Sequence, residues 1–407
     1  MAATASAALH PVVLIPGIGG SILVKKGQIH KRFFQKKLLD NRWVNLTPFN
    51  KRSVRQWKDD MAYGLRRDPQ TKTILGFDGH IEKEIMPYDV GGTAGVKDLV
   101  SELLLLNDKQ QEDLENMYQF RYFNTLCEML YANGYADHQT LIGLPYDFRL
   151  VLDPDYRERL FATFKYYIER ATERTGKPSV VVAHSLGAIL FKWFLSAGGQ
   201  DGGHLADQWI EENVKEFVSI CAPYGGAPNS IKAGLAGEHY IPFFHHVFRE
   251  ELQYNSGIIM CFPNEIGAGA SDVFYEISGV GGGGSVLRMR DYDDLAKKSV
   301  AFEIWRDLYA PHIGVIAERV RVPVCAVFTA NVATGVGFKA KKLSEYPYDT
   351  TYAYGDGVVP ARSLRSFKKL FYPELTKELI IPNSNHAKII SDPLLCKYLL
   401  QTALGRK

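Results

Sequence analysis

The pentapeptide AHSLG at residues 183–187 could supply the nucleophile of an acyl-transfer reaction. It lies between the β-branched run VVV at residues 180–182 and a segment whose apolar residues recur with helical spacing. A sharp turn between strand and helix holds a serine hydroxyl out at the carboxyl end of the strand, and it requires small neighbours such as Ala183 and Gly187. Ser185 is therefore the candidate nucleophile, and the N–H of Leu186 is a candidate donor to an oxyanion. Taken alone, the pentapeptide is as typical of an ordinary turn.

Residues 10–23, HPVVLIPGIGGSIL, predict a first apolar strand that runs into a glycine-rich turn. A dinucleotide-binding loop would require a third glycine where Ile22 stands. The turn suits another purpose, because it lets the backbone pass close to a neighbouring strand end. We predict that the N–H of Ile18 is the second oxyanion donor.

A serine nucleophile needs a histidine base and a carboxylate that orients the base, in the chain order Ser, acid, His for α/β-hydrolases. His386 follows a late strand-like segment at residues 378–381 and precedes the last helical pattern, which is the position of the base in this fold. Asp356, between glycines in YGDGVVP, is the predicted acid, and Asp349 is its rival. An aspartate in such a turn is often only a turn former, but its order with Ser185 and His386 favours a triad.

Strand-like and helix-like segments alternate along most of the chain. Helical patterns occupy residues 122–134, 160–172 and 392–404, and strand patterns lie near residues 141, 214 and 321–330. The alternation predicts a mostly parallel central sheet covered by helices. Together with the serine turn and the order Ser, acid, His, it leads us to expect an α/β-hydrolase fold. The 407 residues fit one domain over residues 8–407, with a basic lid-like insertion at about residues 25–95 and a cap insertion at about residues 231–319. The candidate residues would meet at the carboxyl edge of the sheet.

Positive charge is concentrated near the beginning of the chain, although the net charge is only +3. Residues 25–72 contain fourteen lysines and arginines and four acidic residues. This stretch is either a solvated basic face or a surface that contacts anionic lipid headgroups. Nucleic acid is not an expected partner, because no recognition-helix, finger or RNP pattern accompanies the charge.

The cysteines and the amino terminus indicate a compartment. The five cysteines are widely spaced and form no CxxC or Cys/His ligand pattern, so we expect buried free thiols in a reducing compartment and neither a metal nor a cofactor. Residues 1–10 lack the pattern of a secretory leader, and no uninterrupted apolar run reaches eighteen residues. We expect a cytoplasmic protein, not a secreted one, with transient peripheral contact with membranes.

Six motifs together are similar to the lecithin:cholesterol acyltransferase-like group of α/β-hydrolases. They are PVVLIPGIGGS, GLPYDFR, VVVAHSLG, FVSICAPYGGAP, YGDGVVP and NSNH. The resemblance implies that Ser185, Asp356 and His386 form the triad, and that Trp43 belongs to a substrate-binding lid segment. Secreted members close that lid with a disulfide. This chain has no cysteine before Cys127, so it is more similar to intracellular members.

The resemblance implies a serine enzyme that cleaves glycerophospholipids through an acyl-enzyme. Water as acceptor would make it a phospholipase A, and an alcohol such as a sterol would make it an acyltransferase. Two alternatives stay open. One is an esterase or thioesterase for soluble esters, and the other is a lipid-binding protein that keeps the hydrolase fold without turnover.

Overall fold

The computed structural model describes residues 9–25, 41–43, 64–78, 85–97, 121–199, 203–237, 249–269, 271–278 and 285–406. In these ranges the strands are β1 (Val12–Ile15), β2 (Leu23–Lys25), β3 (Asn41–Trp43), β4 (Leu65–Arg67), β5 (Ile74–Phe77), β6 (Ile85–Pro87), β7 (Leu141–Gly143), β8 (Ser179–His184), β9 (Val214–Ile220), β10 (Val273–Ile277), β11 (Ser285–Arg288), β12 (Val324–Phe328), β13 (Val332–Ala340), β14 (Asp349–Gly355) and β15 (Thr376–Ile380).

The α-helices of the same ranges are α1 (Asn124–Ala132), α2 (Pro154–Thr175), α3 (Leu186–Ala197), α4 (Asp207–Asn213), α5 (Pro228–Ala236), α6 (Arg249–Leu252), α7 (Ser256–Met260), α8 (Tyr292–Ala296), α9 (Val300–Ile304), α10 (Ile313–Ala317), α11 (Ala361–Leu364), α12 (Phe367–Leu370) and α13 (Pro393–Ala403). Within the described ranges, no helix is both long enough and apolar enough to span a bilayer.

A six-stranded parallel sheet forms the centre of the fold, in the order β15-β12-β9-β8-β1-β7. All six residues of β8 are buried, as expected for a parallel strand that is covered on both faces. Helices flank the sheet: α3 contacts β8 and α10, and α1 packs against α13. The predicted α/β-hydrolase fold is confirmed.

Helix α2 begins earlier than its apolar pattern predicts. Asp153 caps its amino end by accepting the N–H of Tyr156 at 3.0 Å, and Pro154 is the first helical residue. Gly176 ends the helix in the left-handed conformation, with φ 66°. The predicted helix at residues 160–172 therefore covers only the apolar part of an element that starts at the Asp-Pro signal.

A second sheet, in the order β11-β10-β13-β14, lies outside the central one. Strands β13 and β14 follow β12 in the chain and form an antiparallel hairpin. Strand β13 also pairs in parallel with β10. The cap insertion at residues 231–319 supplies β10 and β11, but its sheet is completed by residues up to 355. The sequence pattern did not predict this hairpin.

The stretch predicted as a basic lid contains strands where it is described. Strands β3, β2 and β6 form an antiparallel sheet, in which Trp43 pairs with Leu23 through the backbone. The side chain of Trp43 and residues 26–40 and 44–63 lie outside the described residues. Two arginines of the stretch form ion pairs with acidic residues of helices: Arg66 pairs with Asp155 of α2, and Arg67 pairs with Glu303 of α9. Part of the basic charge is therefore neutralised within the protein. The division of the chain into one domain with a lid-like insertion and a cap insertion stays a prediction.

Helix α3 contains a buried cation, Lys192. Its Nζ donates to Ser196 Oγ at 2.6 Å and to the carbonyl oxygens of Ile316 and Glu318, each at 2.9 Å. Burial lowers the pKa of Lys192 to about 7. The three acceptors satisfy the ammonium group, which links α3 to the carboxyl end of α10.

Candidate active site

Ser185 lies at the turn between β8 and α3, in a strained backbone conformation. Its φ is 54° and its ψ is −123°, a region that L-residues rarely adopt. Two glycines make the turn possible: a Cβ on Gly187 would lie 2.3 Å from the carbonyl oxygen of Pro16, and one on Gly17 would lie 2.8 Å from Ser185 Cβ. The small neighbour at position 187 therefore allows the close approach of β1 and the serine turn.

The structure brings the predicted acid, base and nucleophile together. Nε2 of His386 lies 3.0 Å from Ser185 Oγ, and Nδ1 of His386 lies 2.7 Å from Asp356 Oδ2. Asp356 is fully buried, and its Oδ1 accepts the N–H groups of Val358 and Val359 at 2.9 and 2.7 Å. The His386 N–H donates to the Asp356 carbonyl at 2.9 Å. The carboxylate and the imidazole are thus held in one orientation.

Asp349, the rival acid, lies elsewhere. It is the exposed first residue of β14, and its carboxylate lies 3.6 Å from Lys339 Nζ. The hairpin of β13 and β14 then returns the chain to the start of β13, where Asp356 forms a bridge with Val332, four residues after the end of β12. Asp356 therefore reaches the carboxyl edge of the sheet, which the sequence order required.

Two backbone N–H groups were predicted as oxyanion donors, those of Leu186 and Ile18. Leu186 is the first residue of α3, so its N–H has no acceptor within the helix. Ile18 is half-buried in the turn after β1, next to Gly17. The N–H of Gly17 itself donates to the Tyr122 hydroxyl at 2.7 Å. The turn thus has Ile18 rather than Gly17 as its candidate oxyanion donor.

Comparison with known proteins indicates which family the chain resembles. The family model described as lecithin:cholesterol acyltransferase matches residues 111–278. Lecithin-cholesterol acyltransferase-like 1 of Arabidopsis thaliana is 26% identical over 246 residues, which are 56% of this chain and 52% of that protein. The human lysosomal phospholipase A and acyltransferase is 23% identical over 292 residues, 70% of this chain and 67% of that protein. The chain is therefore similar to the lecithin:cholesterol acyltransferase family over these residues, and its fold is that of an α/β-hydrolase.

A solved structure supports the fold over nearly the whole length. A chain in the crystal structure of the Tle4–Tli4 complex superposes with a TM-score of 0.54 and 11% identity, covering 97% of this chain and 98% of that one. The match to the Arabidopsis relative spans only about half the length of that protein. The structural match therefore supports the fold over nearly the whole chain, whereas the match to this relative covers only part of each protein.

The GLPYDFR motif at residues 143–149 anchors the turn after β1. The Tyr146 hydroxyl donates to the carbonyl of Pro16 at 2.7 Å, and the Tyr146 N–H donates to Ser21 Oγ at 3.0 Å. The next residues form a buried ion pair, in which Arg149 Nη2 lies 2.6 Å from Asp147 Oδ2 and Arg149 Nε lies 2.9 Å from Asp147 Oδ1. The motif therefore positions the turn that contains Ile18.

Sequence reasoning missed three residues beside the triad. Nδ1 of His184 lies 2.6 Å from the Tyr122 hydroxyl, and Nε2 of His184 lies 2.9 Å from the carbonyl oxygen of His386. Cys221 follows β9 with φ 49°, and burial together with the Asp356 charge raises the pKa of its thiol well above the usual value. His184 belongs to the AHSLG motif, but its partners come from distant segments that no local pattern indicates.

Two side-chain clusters in the described residues contain enough donors to hold a metal ion. Cys221, Asp356 and His386 have one ligand atom each within 4.8 Å of one another, but His386 already bonds Asp356 through Nδ1 and Ser185 through Nε2. In the other cluster, Asp89 and Asp137 accept N–H groups of the loop at residues 93–94. Both sets of carboxylates therefore have structural partners.

Proposed function

We propose that the chain is a serine-dependent acyl-transfer enzyme that acts on glycerophospholipids. The observation that supports this most strongly is the hydrogen-bonded series from Asp356 through His386 to Ser185, which lies at a strained turn. We propose that the N–H groups of Ile18 and Leu186 are the oxyanion donors. This combination supplies a base, a nucleophile and oxyanion donors, which are the requirements of acyl transfer.

The first half of the proposed reaction forms an acyl-enzyme. His386 Nε2 removes the proton of the Ser185 hydroxyl as Oγ attacks the ester carbonyl carbon. The N–H groups of Ile18 and Leu186 stabilise the negative oxygen of the tetrahedral intermediate, and the carboxylate of Asp356 stabilises the imidazolium. When the C–O ester bond breaks, the imidazolium gives its proton to the leaving lysophospholipid alcohol.

The second half repeats these steps with a new acceptor. His386 removes a proton from water or an alcohol, whose oxygen attacks the acyl carbon. The bond to Ser185 Oγ then breaks and the serine recovers its proton. Water gives a free fatty acid, whereas an alcohol such as a sterol gives a new ester. The required groups are all side-chain and backbone groups of the chain itself.

The names of the relatives support a lipid substrate. One relative is named a lysosomal phospholipase A and acyltransferase, and another is named lecithin-cholesterol acyltransferase-like 1. We propose that Trp43, in the stretch predicted as a lid, contacts the lipid. The other candidate is an esterase for soluble substrates, because the triad alone carries no information on the alcohol or acyl group.

We also propose that the protein is intracellular and contacts membranes at their surface. All five cysteines are free and buried, which supports a reducing compartment. Cosedimentation with vesicles, with and without anionic lipid, tests the contact. Binding that is equal for both vesicle types would contradict the proposed role of the basic stretch.

Mass spectrometry of products from phosphatidylcholine vesicles that contain a sterol tests the function. The two acyl chains differ in mass, and Ser185→Ala is the control. We expect free fatty acid or sterol ester, with one lysophospholipid, from the wild type only. Turnover of short soluble esters without any phospholipid product would favour the esterase, and equal product from Ser185→Ala would refute the serine mechanism.

A further inference from the structure

A buried series of hydrogen bonds connects the turn after β1 with the loop that contains His386. The N–H of Gly17 donates to the Tyr122 hydroxyl at 2.7 Å. That hydroxyl lies 2.6 Å from His184 Nδ1, and His184 Nε2 lies 2.9 Å from the carbonyl oxygen of His386. The series therefore links the turn that contains Ile18 with the residue predicted to be the base, through His184, the neighbour of Ser185.

The chemistry of the two ends fixes the direction of every hydrogen bond. A carbonyl oxygen only accepts, so the proton of neutral His184 lies on Nε2 and is donated to His386. Nδ1 of His184 is then an acceptor, and the Tyr122 hydroxyl donates to it. The oxygen of Tyr122 remains free to accept the N–H of Gly17. Each donor thus has one acceptor, and no alternative arrangement satisfies both backbone ends.

Burial keeps both side chains neutral. Only 8% of Tyr122 and 4% of His184 is exposed. Burial lowers the pKa of His184 well below its usual value, and it raises the pKa of Tyr122. The direction of the hydrogen bonds therefore persists at neutral pH.

We propose that Tyr122 and His184 are positioning residues that hold the oxyanion turn and the catalytic base in register with Ser185. The proposal rests on the proposed serine mechanism. Ile18, the candidate oxyanion donor, directly follows Gly17, and the other end of the series is the backbone of the base itself. The two halves of the site come from distant parts of the chain, and this series of hydrogen bonds sets the distance between them.

The neutrality of His184 also suits the chemistry of the base. The rings of His184 and His386 have centroids 4.9 Å apart. His386 becomes a cation when it takes the serine proton, and a second cation at this distance would oppose that step. A neutral imidazole that donates through Nε2 provides the hydrogen bond without the repulsion.

Tyr122→Phe tests the proposal, because it removes one hydroxyl and breaks both of the hydrogen bonds that this hydroxyl makes. Tyr135→Phe is the matched control: Tyr135 is 4% exposed and donates to the carbonyl of His10 at 2.9 Å, before the amino end of β1. Both variants lose a buried hydroxyl of similar kind. Only one of them lies beside Ser185.

We expect the rate at which a fluorophosphonate labels Ser185 to fall about 10- to 100-fold in Tyr122→Phe and to stay unchanged in Tyr135→Phe, because misplaced catalytic groups lose rates of this order. Phospholipid turnover should show the same loss in kcat, with KM changed by less than about threefold. Equal labelling rates in the two folded variants would overturn the proposal. Failure of the wild type to be labelled would instead refute the serine mechanism.

The position of the proton on His184 provides a second test. It uses the wild-type protein and requires no activity assay. Nitrogen NMR of wild-type protein with ¹⁵N-labelled histidine distinguishes the two neutral tautomers. We expect His184 to be neutral with its proton on Nε2. A proton on Nδ1 would reverse the hydrogen bond to Tyr122 and remove the one to His386. This result would overturn the proposal even if the enzyme were active.

Discussion

At the scale of residues, the site depends on groups whose partners are far apart in sequence. His184 bonds Tyr122, 62 residues before it, and His386, 202 residues after it. The order of Ser185, Asp356 and His386 predicted their roles, because chain order and local turns are visible in a sequence. The hydrogen bonds that hold these residues in place depend on tertiary contacts, so they could not be predicted.

The choice of Asp356 over Asp349 leads to a direct prediction. Asp356→Asn keeps the shape of the buried side chain but removes the charge that orients and stabilises His386. We expect kcat to fall about 10³- to 10⁴-fold, as for other triads that lose this carboxylate. Asp349→Asn, a surface change in β14, is the matched control and should retain wild-type kcat. Steady-state kinetics of the two variants measures the difference, and equal losses would contradict the assignment.

At the scale of elements, the strand-turn-helix unit of β8 and α3 could be predicted because its signal is local. The apolar run, the small residues and the helical spacing lie within twenty residues. The sheet of β11, β10, β13 and β14 could not be predicted in the same way, since β10 pairs with β13 about sixty residues later. The amino end of α2 was missed, although Asp153 and Pro154 are a recognised start signal.

The serine turn tolerates no added volume at Gly187. A Cβ there would lie 2.3 Å from the backbone oxygen of Pro16, so either β1 or the turn must move. We expect Gly187→Ala to lower the free energy of unfolding by roughly 1–3 kcal/mol, and to reduce labelling of Ser185.

Gly314→Ala in α10 is the control for Gly187→Ala, because no atom lies within 4 Å of the added Cβ. The control should be neutral or gain up to about 1 kcal/mol, since alanine favours a helix over glycine. Urea unfolding measures both variants. A Gly187→Ala protein as stable as the control would show that the close approach of Pro16 is unimportant.

At the scale of the whole molecule, we expect two neutral histidines, the buried His184 and the half-buried His312, to make the fold sensitive to acid. Burial lowers the pKa of His312 from 6.5 to about 4, and the charge of Arg157 adds to the effect. Burial also lowers the pKa of His184 well below 6.5. The unfolded chain therefore binds more protons than the folded chain in this range, so stability falls as the pH is lowered from 6.5 towards 4.

His312→Gln should flatten this dependence. The variant removes one group that must be protonated on unfolding in acid, so its urea midpoint should fall less than that of the wild type as the pH is lowered from 6.5 to 4. Denaturation curves at several pH values provide the measurement. Parallel pH dependences of wild type and variant would contradict the role of His312.

Partial covalent labelling tests whether Ser185 carries the acyl group. Samples are treated with a fluorophosphonate to different extents, the labelled fraction of the peptide that contains Ser185 is measured by mass spectrometry, and phospholipid turnover is measured on each sample. We expect turnover to fall in proportion to the labelled fraction and to reach zero at complete labelling. Turnover that persists when Ser185 is fully labelled would contradict this role of Ser185.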